Sequence, residues 1–430
     1  MTIDLLNRLP VQPWMHADGA RRVMRALNAG APDSARFVGG CVRNALLGLP
    51  ASDIDIATVW EPEEVIRRMK ANNIGVHPTG IEHGTVTAVA NNQPYEITTL
   101  RRDVSTDGRR ATVAFTKDWN EDAQRRDFHV NALYCDLMGN LSDPTGLGIS
   151  DLREQKIAFI GDADTRLQED YLRILRFFRF NAWYGSGSLD VEGLSACMRQ
   201  RAGLDSISVE RIWSEFKKLL SAPDPRVVLE AMSQIGVLQF VLPEAIGLDL
   251  FNALVALELE EHLKPDPYLR LLSLYPKDMD VVAADVARLK MSNSEKKRLL
   301  TTAGDNTSFA KEFSAKEFRR TIYSVGKSVF ESRARLAWAV RGREAKHRYW
   351  RVLINAVNKY ERPIFPISGE HVIAVGVPAG KPVGEVLKRI EQWWIDEDFP
   401  LDIALIARQM RIIADEVILR EKANSEEDSF

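Results

Sequence analysis

Two aspartates one residue apart, Asp53 and Asp55, stand in the stretch Val38 to Thr58, VGGCVRNALLGLPASDIDIAT. On a strand, residues i and i+2 project to one face, so the two carboxylates would lie side by side while Ile54 and Ile56 turn to a core. Neighbouring carboxylates repel unless a cation sits between them. Hard oxygen ligands of this kind suit Mg²⁺, and paired ions in phosphoryl and nucleotidyl transfer activate a hydroxyl and stabilise the departing pyrophosphate. A solvated Asp-x-Asp at a strand end is the competing reading. The company of the pair favours the metal: Gly39-Gly40 lets backbone approach a ligand, a helix begins there with N–H groups suited to phosphate, and Arg43 is spaced to reach it. Glu96, expected on a neighbouring strand, is a candidate third carboxylate or else a surface glutamate of an edge strand.

A second constellation lies in Glu169 to Phe180, EDYLRILRFFRF. On one continuous helix, Asp170 and Arg173 would share a face. Cytosine and adenine each present an amino donor beside a ring acceptor, so a carboxylate and a guanidinium match both. Uracil and guanine reverse both partners, at about 1–3 kcal/mol for each buried mismatch. A protein could thus choose C and A without a template strand. Arg176 and Arg179 repeat the spacing, yet each i+3 step rotates by about −60°, which should carry them off the base face. The same run also reads as a plain amphipathic helix built on Leu172, Ile174, Leu175 and Phe178.

For a nucleic-acid substrate the richest stretch is Arg333 to Arg351, where Arg341, Arg343, Lys346 and Arg348 are interleaved with Trp338, Tyr349 and Trp350. Arginines position a phosphate backbone and aromatics stack on bases. A solvated helix face with the tryptophans in the core is the alternative. Lys296, Lys297 and Arg298 form a smaller basic cluster, and the turn Gly376 to Gly384 offers N–H groups to a phosphate. The histidines show no metal spacing and read as packing residues.

These residues need elements to hold them. Length alone, at 430 residues, predicts several domains. The first 150 or so alternate helix and strand signals: a helix over Ala17 to Leu27, a short strand from Arg36 entering the Gly39-Gly40 turn, a helix over Arg43 to Leu47, strands at Asp53 to Ala57, Gly84 to Ala90, Tyr95 to Leu100 and Ala132 to Asp136, and a mobile loop between Arg102 and Ala111. Beyond Asp151 the β signal fades. Helical spacing runs through Leu167 to Tyr184, Val209 to Leu220, Pro225 to Ile235, Leu269 to Leu274, Glu295 to Ala303, Val383 to Trp394 and Leu401 to Lys422. The final ANSEEDSF reads as an acidic, solvated tail. Hydrophobic residues at 45% and charged residues at 27% are the balance of a globular protein. Three scattered cysteines indicate neither a disulfide framework nor a zinc cluster and suit a reducing compartment. No secretory leader or membrane-spanning run is evident, so a cytoplasmic setting is expected. A net charge of −3 argues against a uniformly basic coat while allowing a local basic face.

Taken together, Gly39-Gly40, Arg43, Leu46-Leu47-Gly48 and Asp53-x-Asp55 closely resemble the signature of the nucleotidyltransferase superfamily, in the version carried by class II tRNA nucleotidyltransferases and bacterial poly(A) polymerases. Further motifs follow in order: Gly80-Ile-Glu-His-Gly, Glu96-Ile-Thr-Thr-Leu-Arg, Thr106-Asp-Gly-Arg, Arg125-Arg-Asp-Phe-His-Val-Asn-Ala, Asp143-Pro-Thr-Gly, Glu169-Asp-Tyr-Leu-Arg and Ser208-Val-Glu-Arg-Ile-Trp-Ser-Glu. The position after Arg43, usually aspartate in that signature, is Asn44. The resemblance implies an α+β chain: a nucleotidyltransferase head with a mixed sheet (1–150), then an all-α neck (151–222), body (223–330) and tail (331–430).

It also implies roles. Asp53 and Asp55 would hold two Mg²⁺ ions, with Glu96 beside them as a catalytic carboxylate. Gly40, Arg43, Arg126, Asp170, Arg173, Arg176 and Arg179 would contact nucleotide, with Asp127 and Asn131 as scaffold. Arg341, Arg343, Lys346 and Arg348 would meet RNA. The segment Asp107-Gly108-Arg109 matches a flexible element tied to the switch from C to A and looks intact. The implied reaction is untemplated transfer of C, C and A from CTP and ATP to the 3′ end of tRNA, with no obligate protein partner. Poly(A) addition and a catalytically silent RNA-binding relative are the rivals.

Overall fold

The computed structural model describes residues 8–10, 12–51, 53–107, 110–342 and 347–427. The chain divides into two compact units, residues 1–276 with 283–291 and residues 277–282 with 292–430.

In the first unit the described strands are β1 (Ala35–Val38), β2 (Asp55–Thr58), β3 (Gly75–Gly80), β4 (Thr85–Ala90), β5 (Gln93–Thr99), β6 (Arg101–Asp107), β7 (Arg110–Phe115), β8 (Tyr134–Cys135) and β9 (Leu141–Ser142). Seven of them form one sheet in the order β3-β4-β5-β2-β1-β8-β9. It is mixed, as expected: β2 runs parallel to β5 and antiparallel to β1. Strand β4 shows why the alternation works, burying Val86, Ala88 and Ala90 on one face while the intervening residues are less enclosed. The helix Asp18–Asn28 packs against the sheet through Ala20, Val23, Met24 and Leu27, the i, i+3, i+4, i+7 spacing of a single apolar stripe.

The segment 102–111, expected as a mobile loop, is instead most of a hairpin in which β6 pairs antiparallel with β7. Its β-branched residues and the Asp107-Gly108 dipeptide are a hairpin signal that outweighs the polar composition. Gly108 and Arg109, at the centre of the expected C-to-A switch, lie outside the described residues.

The helical run expected from Leu167 to Tyr184 is two helices, Ala163–Glu169 and Leu172–Tyr184. At Asp170 the backbone is extended, φ −157° and ψ 103°. The Asp170 side chain accepts from the Leu172 N–H at 3.1 Å, the local bond by which a short carboxylate competes with helix continuation. The adjoining Tyr171 ring packs where a Cβ at Gly203 would have to stand, so glycine is required there. Helix Val209–Leu220 follows with Ile212, Trp213, Phe216, Leu219 and Leu220 buried.

Among its described residues the second unit contains helices joined by loops and no strand. Helices Asn293–Gly304 and Ala315–Val325 both start on capping boxes, Ser292 with Glu295 and Ser314 with Glu317. Tyr323, Val386, Ile390, Trp394, Ile406 and Val417 belong to one buried cluster in this unit. No helix of the described chain is long and apolar enough to cross a membrane.

Candidate active site

Asp55 opens β2 with Ile56 buried behind it, whereas Asp53, expected on the same strand, lies in a bend just ahead of it and acts on Asp55 through its charge. Glu96 is the register partner of Asp55 across the parallel β2–β5 ladder and therefore shares its face. Strand β5 lies between β4 and β2, so Glu96 is exposed on an interior strand rather than an edge. Burial, then repulsion from Glu96 and Asp53, pushes the Asp55 carboxyl up to about 6, and Arg126 pulls it the other way. An acidic edge short of counter-charge suits a divalent cation, and its all-oxygen donor set suits a hard one. Among the described residues no three His, Cys, Asp or Glu side chains converge to enclose a metal by themselves. The edge is open, and outside ligands such as phosphate oxygens must complete any coordination shell.

The glycine turn lies beside this edge. Gly39 has φ +71°, a conformation that favours glycine, and a Cβ there would approach the Asn131 carbonyl oxygen at 3.6 Å and the Arg126 Nη1 at 3.8 Å. Gly40 begins the helix Gly40–Leu46. Arg43, expected to reach a phosphate, is buried under that turn at 6% exposure. It donates to Asn131, to the Asn44 Oδ1 at 2.9 Å and to the Tyr184 hydroxyl at 2.9 Å, and its guanidinium lies 4.1 Å from the Tyr184 ring centre. Arg43 thus braces the turn from below. Asn44, the departure from the usual aspartate, still accepts from Arg43 without supplying charge.

Arg126 stands between two regions. Its Nη2 donates to the Asp122 Oδ2 at 3.0 Å and its Nε to the Tyr134 hydroxyl at 3.1 Å, while Tyr134 donates in turn to Asp122 at 2.8 Å. Burial favours a neutral Asp122, but Arg126 and Arg125 outweigh it and hold the carboxyl down at about 2. Electrostatically Arg126 faces Asp55. It also lines a cleft of about 290 Å³ with Arg125, Asp127, Asp170, Leu172, Arg173, Arg176 and Arg211. Each of its five arginines is paired to a carboxylate, Arg125 and Arg126 with Asp122, Arg173 with Glu169, Arg176 with Asp127 and Arg211 with Asp170, so the cleft is a network of fixed donors and acceptors with a small cationic excess.

The cleft gathers most of the expected nucleotide residues, though not in the expected pairing. Asp170 and Arg173 do not sit on one helix face, because the helix breaks at Asp170. Arg173 is drawn instead to Glu169, the last residue of the preceding helix, and donates to the Arg166 carbonyl oxygen at 2.8 Å. Asp170 accepts from Arg211 Nη2 at 2.8 Å. Arg176 stays in the cleft, donating to Asp127 at 2.7 Å through Nε, and Asp127 also accepts from Asn131 at 2.9 Å. Burial opposes the Asp127 charge, yet Arg176 and Asn131 hold its carboxyl down at about 2. Arg179 has drifted off as the helical rotation requires, and pairs with Glu215 at 2.6 Å. Two residues escaped the sequence reading: Asp122, within the run before Arg125-Arg126, and Arg211, in Ser208-Val-Glu-Arg. For Arg211 the motif was the available signal, and for Asp122 only its place three and four residues before the arginine pair, one helical turn away.

In the second unit the tryptophans are core residues. Trp338 and Trp350 are 1% and 2% exposed and stack with ring centres 6.0 Å apart, so neither offers a face to a base. Their neighbour Arg341 donates to the Ala310 carbonyl oxygen at 2.9 Å and to that of Phe309, while Arg348 is exposed. Arg343 and Lys346 lie outside the described residues.

Residues 35–158 match the family model described as "Poly A polymerase head domain", and residues 189–247 match "Probable RNA and SrmB- binding site of polymerase A". The mitochondrial CCA tRNA nucleotidyltransferase 1 of Mus musculus is 35% identical over 366 residues, 84% of this chain and 82% of the relative. A CCA-adding enzyme of Streptococcus gordonii is 45% identical over 215 residues, 50% of this chain and 52% of the relative. The crystal structure of the Bacillus stearothermophilus CCA-adding enzyme in complex with CTP superposes with a TM-score of 0.72 at 25% identity, covering 97% of this chain and 100% of that one.

Proposed function

Because the chain belongs to the CCA tRNA nucleotidyltransferases, the CCA-adding enzymes, we propose that its first unit transfers CMP, CMP and then AMP from CTP and ATP to the 3′ hydroxyl of tRNA without a nucleic-acid template. One observation carries this: Arg126 stands at the Gly39 turn with its Nη1 and lines the arginine-rich cleft at once, so a triphosphate and its base would be held on either side of a single side chain.

In this reading Asp53 and Asp55, with Glu96 beside them, hold Mg²⁺, which would activate the attacking hydroxyl and balance charge on the departing pyrophosphate. A pair of ions is the expected complement. The Gly39-Gly40 turn and the start of helix Gly40–Leu46 admit the phosphates closely, and Arg43 keeps that turn in shape. Arg126, locked by Asp122 and Tyr134, presents fixed positive charge to the nucleotide. Asp170 accepts from the amino group of cytosine or adenine and Arg173 donates to the ring nitrogen. Arg176 lines the same cleft, whereas Arg179 supports helix Val209–Leu220 through Glu215. Arg341 and Arg348 of the second unit, with Arg343 and Lys346, would meet the RNA backbone. In the same reading the head ends at 150, the neck at 222 and the body at 330, the tail runs to 430, and the setting is cytoplasmic.

Incubating the protein with a tRNA lacking its 3′ CCA, Mg²⁺ and each labelled nucleotide in turn tests it. Incorporation of C and then A, with U and G refused, is the expected result. Long A tracts would support poly(A) addition, and no incorporation would leave a silent RNA binder.

A further inference from the structure

The carboxylate assigned to base reading is not held by its own helix. Asp170 sits at the extended break between helices, where a side chain facing a cleft has no neighbouring helical turn to restrain it. Two bonds from different directions hold it. Its Oδ1 accepts from the Leu172 N–H at 3.1 Å, and its Oδ2 accepts from Arg211 Nη2 at 2.8 Å. Arg211 arrives from the first turn of helix Val209–Leu220, 41 residues along the chain. The other half of the reader is fixed separately, with Arg173 held by Glu169, by the Arg166 carbonyl oxygen and by that of Arg125 at 3.5 Å. Arg173 therefore cannot orient Asp170.

A carboxylate has about four lone-pair directions, and these two bonds use two of them. The plane of the group is then set, and the remaining directions are available to an amino group in the cleft. Both side chains of the pair are partly open, Arg211 at 38% and Asp170 at 30%, so the contact is reachable from the cleft rather than sealed in the core. Without the guanidinium, Asp170 keeps only its backbone bond and can swing about χ1 and χ2. It would then meet bases at several angles, and the difference in hydrogen-bond sense between an amino group and a carbonyl would be read poorly.

We propose that Arg211 is a positioning residue for nucleotide choice: it orients the Asp170 carboxylate so that only a base with an amino group at the reading position is accepted. This rests on the cleft being the nucleotide site.

The test compares wild type with Arg211→Ala, Arg211→Lys, Asp170→Ala and the double variant, measuring kcat and KM for each of CTP, ATP, UTP and GTP on tRNA primers ending before each addition. Arg211→Ala should lower the preference for C or A over U or G, in kcat/KM, by about tenfold or more. Loss of choice should exceed the fall in kcat with saturating CTP, and Arg211→Lys should recover part of it. The double variant should choose no worse than Asp170→Ala alone. If Arg211→Ala slows all four nucleotides equally and keeps its choice, while Asp170→Ala loses it, the role of Arg211 is overturned and the site stands. If wild type itself does not select C and A, the reading of the cleft falls instead.

Discussion

Glu96 stands directly opposite Asp55 in the parallel register of β5 and β2. Burial, with repulsion from Glu96 and then Asp53, pushes the Asp55 carboxyl up to about 6. At neutral pH the ionised group therefore costs stability unless a cation offsets it. Asp55→Asn should raise the melting temperature by a few degrees in chelator, since a shift of this size is worth on the order of 1–3 kcal/mol before solvent screening. Mg²⁺ should stabilise wild type more than the variant, and nucleotide incorporation should drop by about 10³-fold or more. Calorimetry with and without Mg²⁺ decides; equal stabilisation of both proteins would remove Asp55 from the metal site.

The second prediction concerns Asp122, 1% exposed and shared by Arg125, Arg126 and Tyr134. Its folded carboxyl is depressed to about 2 from an ordinary 3.8. A depressed acid contributes stability above its unfolded value and loses it as pH falls between the two, here from about 4 toward 2. That contribution is about 2 kcal/mol. Asp122→Asn should flatten urea stability across this window and, by freeing Arg126, raise KM for nucleotide. An unchanged acid slope would show that the carboxylate is not linked to folding as described.

Arg270 and Glu258 form an ion pair 2.7 Å long with side chains 0% and 1% exposed. Arg270 also donates to the carbonyl oxygens of Leu220, Ala222 and Pro223, which tie the end of helix Val209–Leu220 to helix Pro267–Leu272. Removing one partner leaves a buried charge unpaired, so Arg270→Met should cost about 3–5 kcal/mol. Arg270→Met with Glu258→Leu should cost less than the sum of the single changes. Chemical denaturation of the four proteins measures the coupling, and simple additivity would contradict the pair.

In the second unit, packing and RNA contact should separate. Trp350→Ala opens a cavity beside Trp338 and should destabilise by about 3–5 kcal/mol. Exposed Arg348→Ala should leave the melting temperature within a degree or so, weaken tRNA binding and reduce its salt dependence. Titrations of labelled tRNA at several salt concentrations, beside thermal melts, distinguish the two. Unchanged salt dependence in Arg348→Ala would take that residue off the RNA path.

How far these features were legible follows from the range of the forces involved. Helix Val209–Leu220 is found with the bounds its periodicity predicts, because a single apolar stripe dictates it. Asp55 is found at the start of a strand because β-branched alternation is a local rule, while Asp53 falls in the bend before it. The hairpin β6–β7 departs from the expected loop because its β-branched residues and turn dipeptide outweigh its polar composition. The helix break at Asp170 escaped because spacing does not show a carboxylate that accepts from the Leu172 N–H and from Arg211, 41 residues along the chain.

The sequence by itself determined which residues could do chemistry and the order of motifs along the chain, since motif spacing and alternation are properties of neighbours. Only the tertiary structure decided who holds whom: Glu96 against Asp55, Arg211 rather than Arg173 on Asp170, Arg43 beneath the glycine turn, and Trp350 in the core. Those partnerships join segments tens of residues apart, and burial together with charge compensation selects them only once the chain has closed.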